Sequence, residues 1–336
     1  MSHFEILRKY LEKGRIDRPE RILSILSEKI ASHLASHKAF QSISTVHQKN
    51  HEQLHSTQLN VYKGQNKTAI EISKYFHAHS HPSISSVLVH GSIASDDDIA
   101  YSDFDGILII DHKSIATREV LVALRNIIAE TSQLFLKQDA LQHHGWQILF
   151  QHEFSNYPDH LFPYEIIKSS SVLYPSKEIN IDILFKSDQL NYSKSLLEIT
   201  TSILKKSKDK SPQQDLFTLK TYLSQIMLLP ALFLQAVNKS PVSKKDSFSL
   251  LAKTHPEINQ DVINNVSNWR QHWQQPPINN KIRLFHRLRN AGIYNSILAP
   301  SIPSNLKQQL TPEFYGEVIT ICNVLLKKAN LNKQGQ

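Results

Sequence analysis

At 336 residues, 40% of them hydrophobic and 20% charged, the chain is long enough for a substantial core and for more than one folding unit, because single cores stop growing near roughly 250 to 300 residues. No segment approaches the roughly 20 unbroken apolar residues that span a bilayer as a helix, which argues against a helical membrane protein. The net charge of +8 favours anionic partners such as nucleotide phosphates, but the basic residues are scattered and form no stripe of the kind a dedicated nucleic-acid binder presents.

The N-terminus is interrupted by charges and lacks the apolar core of a secretory signal, and the single cysteine, Cys322, excludes an internal disulfide. Both point to a cytoplasmic setting. Residues 1–60 are predicted as a helical extension. Asp17 to His37 carry Ile22, Leu23, Leu26, Ile30 and Leu34 at helical spacing, and a second helix is expected through Ile43 to Ser56. Residues 61–190 alternate helical and strand patterns: a helix at Lys67–His79, strands at Ser85–Gly91 and Phe104–Asp111, a helix at Arg118–Leu136, and strands at Gly145–Phe150 and Ile179–Phe185. That alternation predicts an α/β (α+β) domain with a mixed sheet. Residues 191–336 read as a helical domain, in which the apolar run Ile226–Val237, interrupted by Pro230, is a buried helix. The basic run Lys205–Lys210 reads as a solvated connector, and the last residues, Asn332 to Gln336, as frayed.

The chemistry gathers in "SSVLVHGSIASDDDIAYSDFDGILIID", Ser85 to Asp111. Strand residues alternate faces, so Asp103 and Asp105 project together and Phe104 points into the core. Two ionised carboxylates side by side repel unless a cation joins them, and hard oxygens at this spacing suit Mg²⁺, which keeps positions for water and substrate phosphates. Gly91 permits a tight turn after the apolar strand, and Ser92 offers a hydroxyl and an N–H to an anion. The three aspartates between these halves, Asp96 to Asp98, read as a solvated turn.

An apolar strand, Gly91-Ser92, a loop and then Asp103-Phe104-Asp105 on the next strand together resemble the nucleotidyltransferase superfamily that includes DNA polymerase β. The resemblance implies transfer of a nucleoside monophosphate from a nucleoside triphosphate, most simply ATP, with loss of pyrophosphate. It implies two Mg²⁺ ions on Asp103 and Asp105 and triphosphate oxygens on Gly91 and Ser92. It also implies a third acid on a later strand: Asp139 is the favoured position, Asp182 the next, and Glu153, Asp159 or none the remainder. His143 and His144, just beyond Asp139, are candidates for a base or a substrate contact.

A second stretch, Asn238 to Glu257, resembles the C-terminal region of streptomycin/spectinomycin adenylyltransferases, which implies a phosphate-contacting role for Lys244 and Lys245. Without the resemblance, these lysines are surface charges ahead of a helix capped by Ser243 or Asp246. The expected acceptor is a small molecule; a macromolecule such as tRNA or protein, or a second nucleotide, is the alternative, as is a non-catalytic nucleotide-binding module. His47, His51 and His55, four apart, and His77, His79 and His81, two apart, are read as a polar face and a loop before they are read as zinc ligands. Trp269 and Trp273 read as packing residues of the helical domain, and Trp146 as core.

Overall fold

The computed structural model describes residues 7–11, 52–142, 144–157, 163–186, 192–277 and 300–331. The helix expected at Asp17–His37, the residues Asn332–Gln336, and His143 and Asp159 lie outside the described residues. The chain divides into two compact units, residues 1–98, 102–189 and 278–291 in the first and 99–101, 190–277 and 292–336 in the second.

The first unit is α/β. Its four-stranded sheet has the order β4-β3-β2-β5, from β2 (Ile84–Val89), β3 (Gly106–Ile110), β4 (Gln147–Phe150) and β5 (Ser171–Tyr174). The sheet is mixed, because β2 runs antiparallel to β3 and β5 whereas β3 and β4 are parallel. Between β3 and β4 the chain makes the crossover that parallel pairing demands, helix α3 (Arg118–Gln138). Alternate residues of every strand feed two cores. Val87, Val89, Leu108, Ile110, Ile148 and Phe150 pack with Phe76 and Leu124 on one face. Leu88, Ile107, Ile109, Leu149 and Val172 pack on the other. With both faces covered, the strands read as unbroken apolar runs, and each fully buried Leu or Ile contributes about 1.5–3 kcal/mol.

The first of these faces is covered by α3, by helix α1 (Lys67–Ala78), capped by the Asn66 side chain, and by the helical residues 7–11, whose Leu7, Tyr10 and Leu11 are buried. Beneath residues 7–11, Arg8 reaches the Ile148 carbonyl at 2.9 Å and pairs with Glu153 at 2.7 Å. The second face is covered by a ribbon of β1 (Glu52–Leu59) and β6 (Ile179–Lys186), antiparallel in the register Ser56↔Asp182, and by the short helix α4 (Tyr164–Lys168). Of the helix expected through Ile43–Ser56, residues 43–51 lie outside the described residues, and Glu52–Ser56 belong to strand β1 instead. His55 and Ser56 are strand residues, because the apolar β6 supplies a ladder partner that a helix reading of the polar stretch leaves out. β5, not anticipated from the sequence, is four residues long and pairs with β2 on the sheet edge.

In the second unit the described residues are helical: α5 (Tyr192–Asp209), α6 (Leu216–Ile226), α7 (Leu229–Asn238), α8 (Lys244–Thr254), α9 (Asp261–Gln271), α10 (Ser304–Lys307) and α11 (Pro312–Lys328). The span Leu216–Asn238 is long and apolar enough to cross a membrane by length and composition, but 61% of its most apolar window is buried inside the unit. It is two helices with a break at Met227–Leu228, just ahead of Pro230, which occupies the first turn of α7, where its missing N–H leaves no bond unmade. The basic run Lys205–Lys210 belongs mostly to the last turn of α5, a correction of the connector reading. Ile203 and Ser207 keep one face of that turn buried, and cations suit a helix C-terminus. Cys322 is buried, which pushes its thiol pKa up to about 12 and keeps it a core residue.

Candidate functional site

Three segments of the first unit meet at one end of the four-stranded sheet. Because β2 is antiparallel to β3 and β3 parallel to β4, the carboxyl end of β2 lies beside the amino ends of β3 and β4. Those ends deliver Gly91 and Ser92, then Asp103 and Asp105, then His144.

Asp103, Phe104 and Asp105 form an extended lead-in immediately before β3, and so stand outside the strand expected to hold them. Their alternation survives because the His90 N–H donates to the Asp105 carbonyl at 2.9 Å, which carries the β2–β3 ladder one step further. Phe104 is fully buried between Phe135 and Trp146, at ring separations of 4.6 and 6.1 Å. The Asp103 and Asp105 side chains remain 14% and 28% exposed. Trp146 is core, as its pattern implies, and donates to the Thr131 hydroxyl at 2.9 Å. A side chain at Gly106 would meet the Trp146 ring at 2.5 Å, so glycine there admits the indole that backs Phe104.

Gly91 is the hinge of the site. Its φ is 68°, in the left-handed region, and a Cβ there would lie 2.7 Å from Asp105 Oδ2. The turn backbone and the carboxylate are thus in direct contact, and only glycine permits it. Ser92 follows in α2 (Gly91–Ala94), a single turn too short to carry a substantial macrodipole. The Ser92 side chain there is half-buried. A cleft of about 510 Å³ opens beside α2, with Tyr62, Lys63, Ala94 and Asp96 among its walls. The solvated-turn reading holds for Asp96 and Asp97, which are exposed, and fails for Asp98. Asp98 accepts from Asn66 Nδ2 at 2.9 Å and so moors the loop to the cap of α1.

The electrostatics are set by two imidazoles. His144 Nε2 stands 3.5 Å from Asp103 Oδ2 and 3.3 Å from Asp105 Oδ1. His90 has Nε2 closed off from solvent, and burial lowers its pKa below the ordinary histidine value; the Asp105 carboxylate opposes that shift and His144 adds to it. A neutral His90 leaves the carboxylate pair its negative charge. Neither His90 nor Gln142, described below, was singled out from the sequence; a histidine directly before the Gly-Ser turn was the available signal for the first.

The other candidates are placed differently. Asp139, favoured as third acid, is fully buried, and its carboxylate accepts from the Leu141 N–H at 2.9 Å at the end of α3. Asp182 is an exposed residue of the β1–β6 ribbon, outside the four-stranded sheet. Glu153 is held by Arg8 and by the Phe150 N–H at 2.9 Å. Among the described residues, no group of three or more His, Cys, Asp or Glu side chains is arranged to hold a metal ion. Among the described residues, the contact to Asp103 and Asp105 comes from His144 and not from a third carboxylate.

Lys244 and Lys245 are the first two residues of α8 in the second unit. Ser243 caps that helix, accepting from the Asp246 N–H at 3.1 Å and donating to its carboxylate at 2.7 Å. The histidine sets are dispersed. His55 packs on Tyr164, His77 bonds Ser176, His79 stacks on Tyr75 and His81 accepts from the Ser83 N–H, while His47 and His51 lie outside the described residues. Trp269 and Trp273 are packing residues of the second unit, against Phe314 and Tyr101 at 4.8 and 4.9 Å. No known protein family, no curated protein and no solved structure matches the chain.

Proposed function

We propose that the first unit carries a divalent-cation-dependent nucleotidyltransferase site, which moves a nucleoside monophosphate, AMP in the simplest case, from a nucleoside triphosphate to a hydroxyl of a small-molecule acceptor. In that reaction the acceptor oxygen bonds to the α-phosphorus, the bond from that phosphorus to the bridging oxygen breaks, pyrophosphate leaves and the hydroxyl proton is released. The reading is carried above all by one observation: the Gly91 turn and the Asp105 carboxylate stand so close that a Cβ at Gly91 would lie 2.7 Å from Oδ2, so the glycine turn and the acids belong to one place.

Bound Mg²⁺, two ions on the superfamily resemblance, would neutralise charge on the triphosphate and lower the pKa of the attacking hydroxyl. Asp103 and Asp105 hold that charge; Phe104, locked between two rings, fixes their orientation. The left-handed Gly91 exposes the backbone to the phosphates, and the Ser92 hydroxyl donates to one of their oxygens. Lys244 and Lys245 enter this proposal only through their local resemblance to the lysines of streptomycin/spectinomycin adenylyltransferases.

Labelled nucleoside triphosphates incubated with a panel of small hydroxylated molecules, total RNA and protein test the proposal. We expect label in the small-molecule fraction and a loss of at least about 100-fold in Asp105→Asn. Label in RNA or protein would replace the acceptor class. Because Asp139 is fully buried and its Oδ1 accepts from the Leu141 N–H, a specific second reading is a nucleotide-binding module without turnover, and nucleotide binding with no label in any fraction would favour it.

A further inference from the structure

The turn from α3 into β4 grips the Asp103–Asp105 segment through one side chain. The Phe104 N–H donates to Gln142 Oε1 at 2.9 Å, and Gln142 Nε2 donates back to the Phe104 carbonyl at 3.0 Å. This reciprocal pair fixes which end of the Gln142 amide is which. The remaining Nε2–H is directed at His144, 2.9 Å from its carbonyl and 3.2 Å from its Nδ1. An amide NH₂ only donates, so in its contact with Gln142 the His144 Nδ1 can only accept; in the neutral ring that contact assigns the proton to Nε2. That N–H faces Asp103 and Asp105, at 3.5 and 3.3 Å.

A metal-ligating histidine has the opposite arrangement, a bare nitrogen on the ion and an N–H on the far side donating to an acceptor. His144 therefore does not fit as the missing third ligand. It does fit as an occupant of the space between the two acids. Both contacts are long for a charge-assisted hydrogen bond, and the His144 side chain is 30% exposed. Gln142 also holds the His144 backbone, through a bond to the carbonyl that does not involve the ring.

We propose that the His144 imidazole and a divalent cation compete for the same faces of Asp103 and Asp105, so that His144 is a positioning residue that restrains cation loading. The inference rests on reading Asp103 and Asp105 as the cation-binding pair of the transferase site. Binding of Mn²⁺ alone to the full chain, followed by electron paramagnetic resonance of the free ion, reads it directly. Wild type should bind Mn²⁺ in a manner abolished by Asp105→Asn, and His144→Ala should bind it about fivefold more tightly. His144→Asp, which replaces a donor by an acceptor, should bind tighter still, and it keeps the test open if the alanine variant folds poorly. Weaker or unchanged binding in both His144 variants, with Asp105→Asn still abolishing it, would overturn the competition alone. No Mn²⁺ bound by wild type or by either His144 variant would overturn both this inference and the cation-pair reading beneath it.

Discussion

The four-stranded sheet and the β1–β6 ribbon of the first unit each carry aspartates bordered by apolar residues, and the two regions use them differently. Asp105 stands at the meeting point of three strand ends, in contact with the Gly91 backbone and within 3.3 Å of His144. Asp182, flanked by Ile181 and Ile183 in its own strand, faces solvent across from Ser56. The chemical meaning of an acid beside an apolar strand is set by what the topology places next to it. A two-stranded ribbon offers one neighbour and an open face; a mixed sheet with strands converging at one end surrounds the carboxylate.

The contrast can be broken most severely at Gly91. Gly91→Ala forces a Cβ into a left-handed backbone and to 2.7 Å from the Asp105 carboxylate. We expect label transfer to fall by about 100-fold and unfolding free energy by about 1–3 kcal/mol, measured by turnover and by denaturant titration. Unchanged turnover would mean that the turn and the acid do not act together.

A smaller and purely structural effect is expected at Asp139. Asp139→Ala strands the buried Leu141 N–H and should lower stability by about 1–3 kcal/mol. Turnover per folded molecule should be retained. A collapse of turnover in a protein of full stability would restore Asp139 as the third acid. The smallest effect belongs to the ribbon: Asp182→Asn should leave stability within about 0.5 kcal/mol and label transfer unchanged.

These predictions divide along the line between what was legible in the sequence and what was not. The strands buried on both faces announce themselves as Val, Ile and Leu runs, and the helices α1 and α3 by their period, because burial there leaves a pattern in residue type alone. β1 gives no such signal. From Leu54 to Gln58 its residues alternate between exposed and half-buried, with Leu54 at 69% exposure, and it is a strand only because β6 pairs with it. The Gly91, Asp103 and Asp105 part of the site is local in the chain and could be read from spacing. The histidine beside them could not: Asp139 and His144 are five residues apart, and the contact of His144 with the acids goes with Gln142 clasping the Phe104 backbone. Asp98 escaped for a similar reason, since its anchor, Asn66, lies 32 residues upstream.

The central claim is that Asp103 and Asp105 hold a cation for a triphosphate gripped at Gly91 and Ser92. Calorimetric titration of the chain with a non-hydrolysable ATP analogue, with and without Mg²⁺, tests it most directly. The account predicts binding that requires Mg²⁺ and is lost in both Asp103→Asn and Asp105→Asn. Binding that is indifferent to Mg²⁺, or that survives both substitutions, would contradict it.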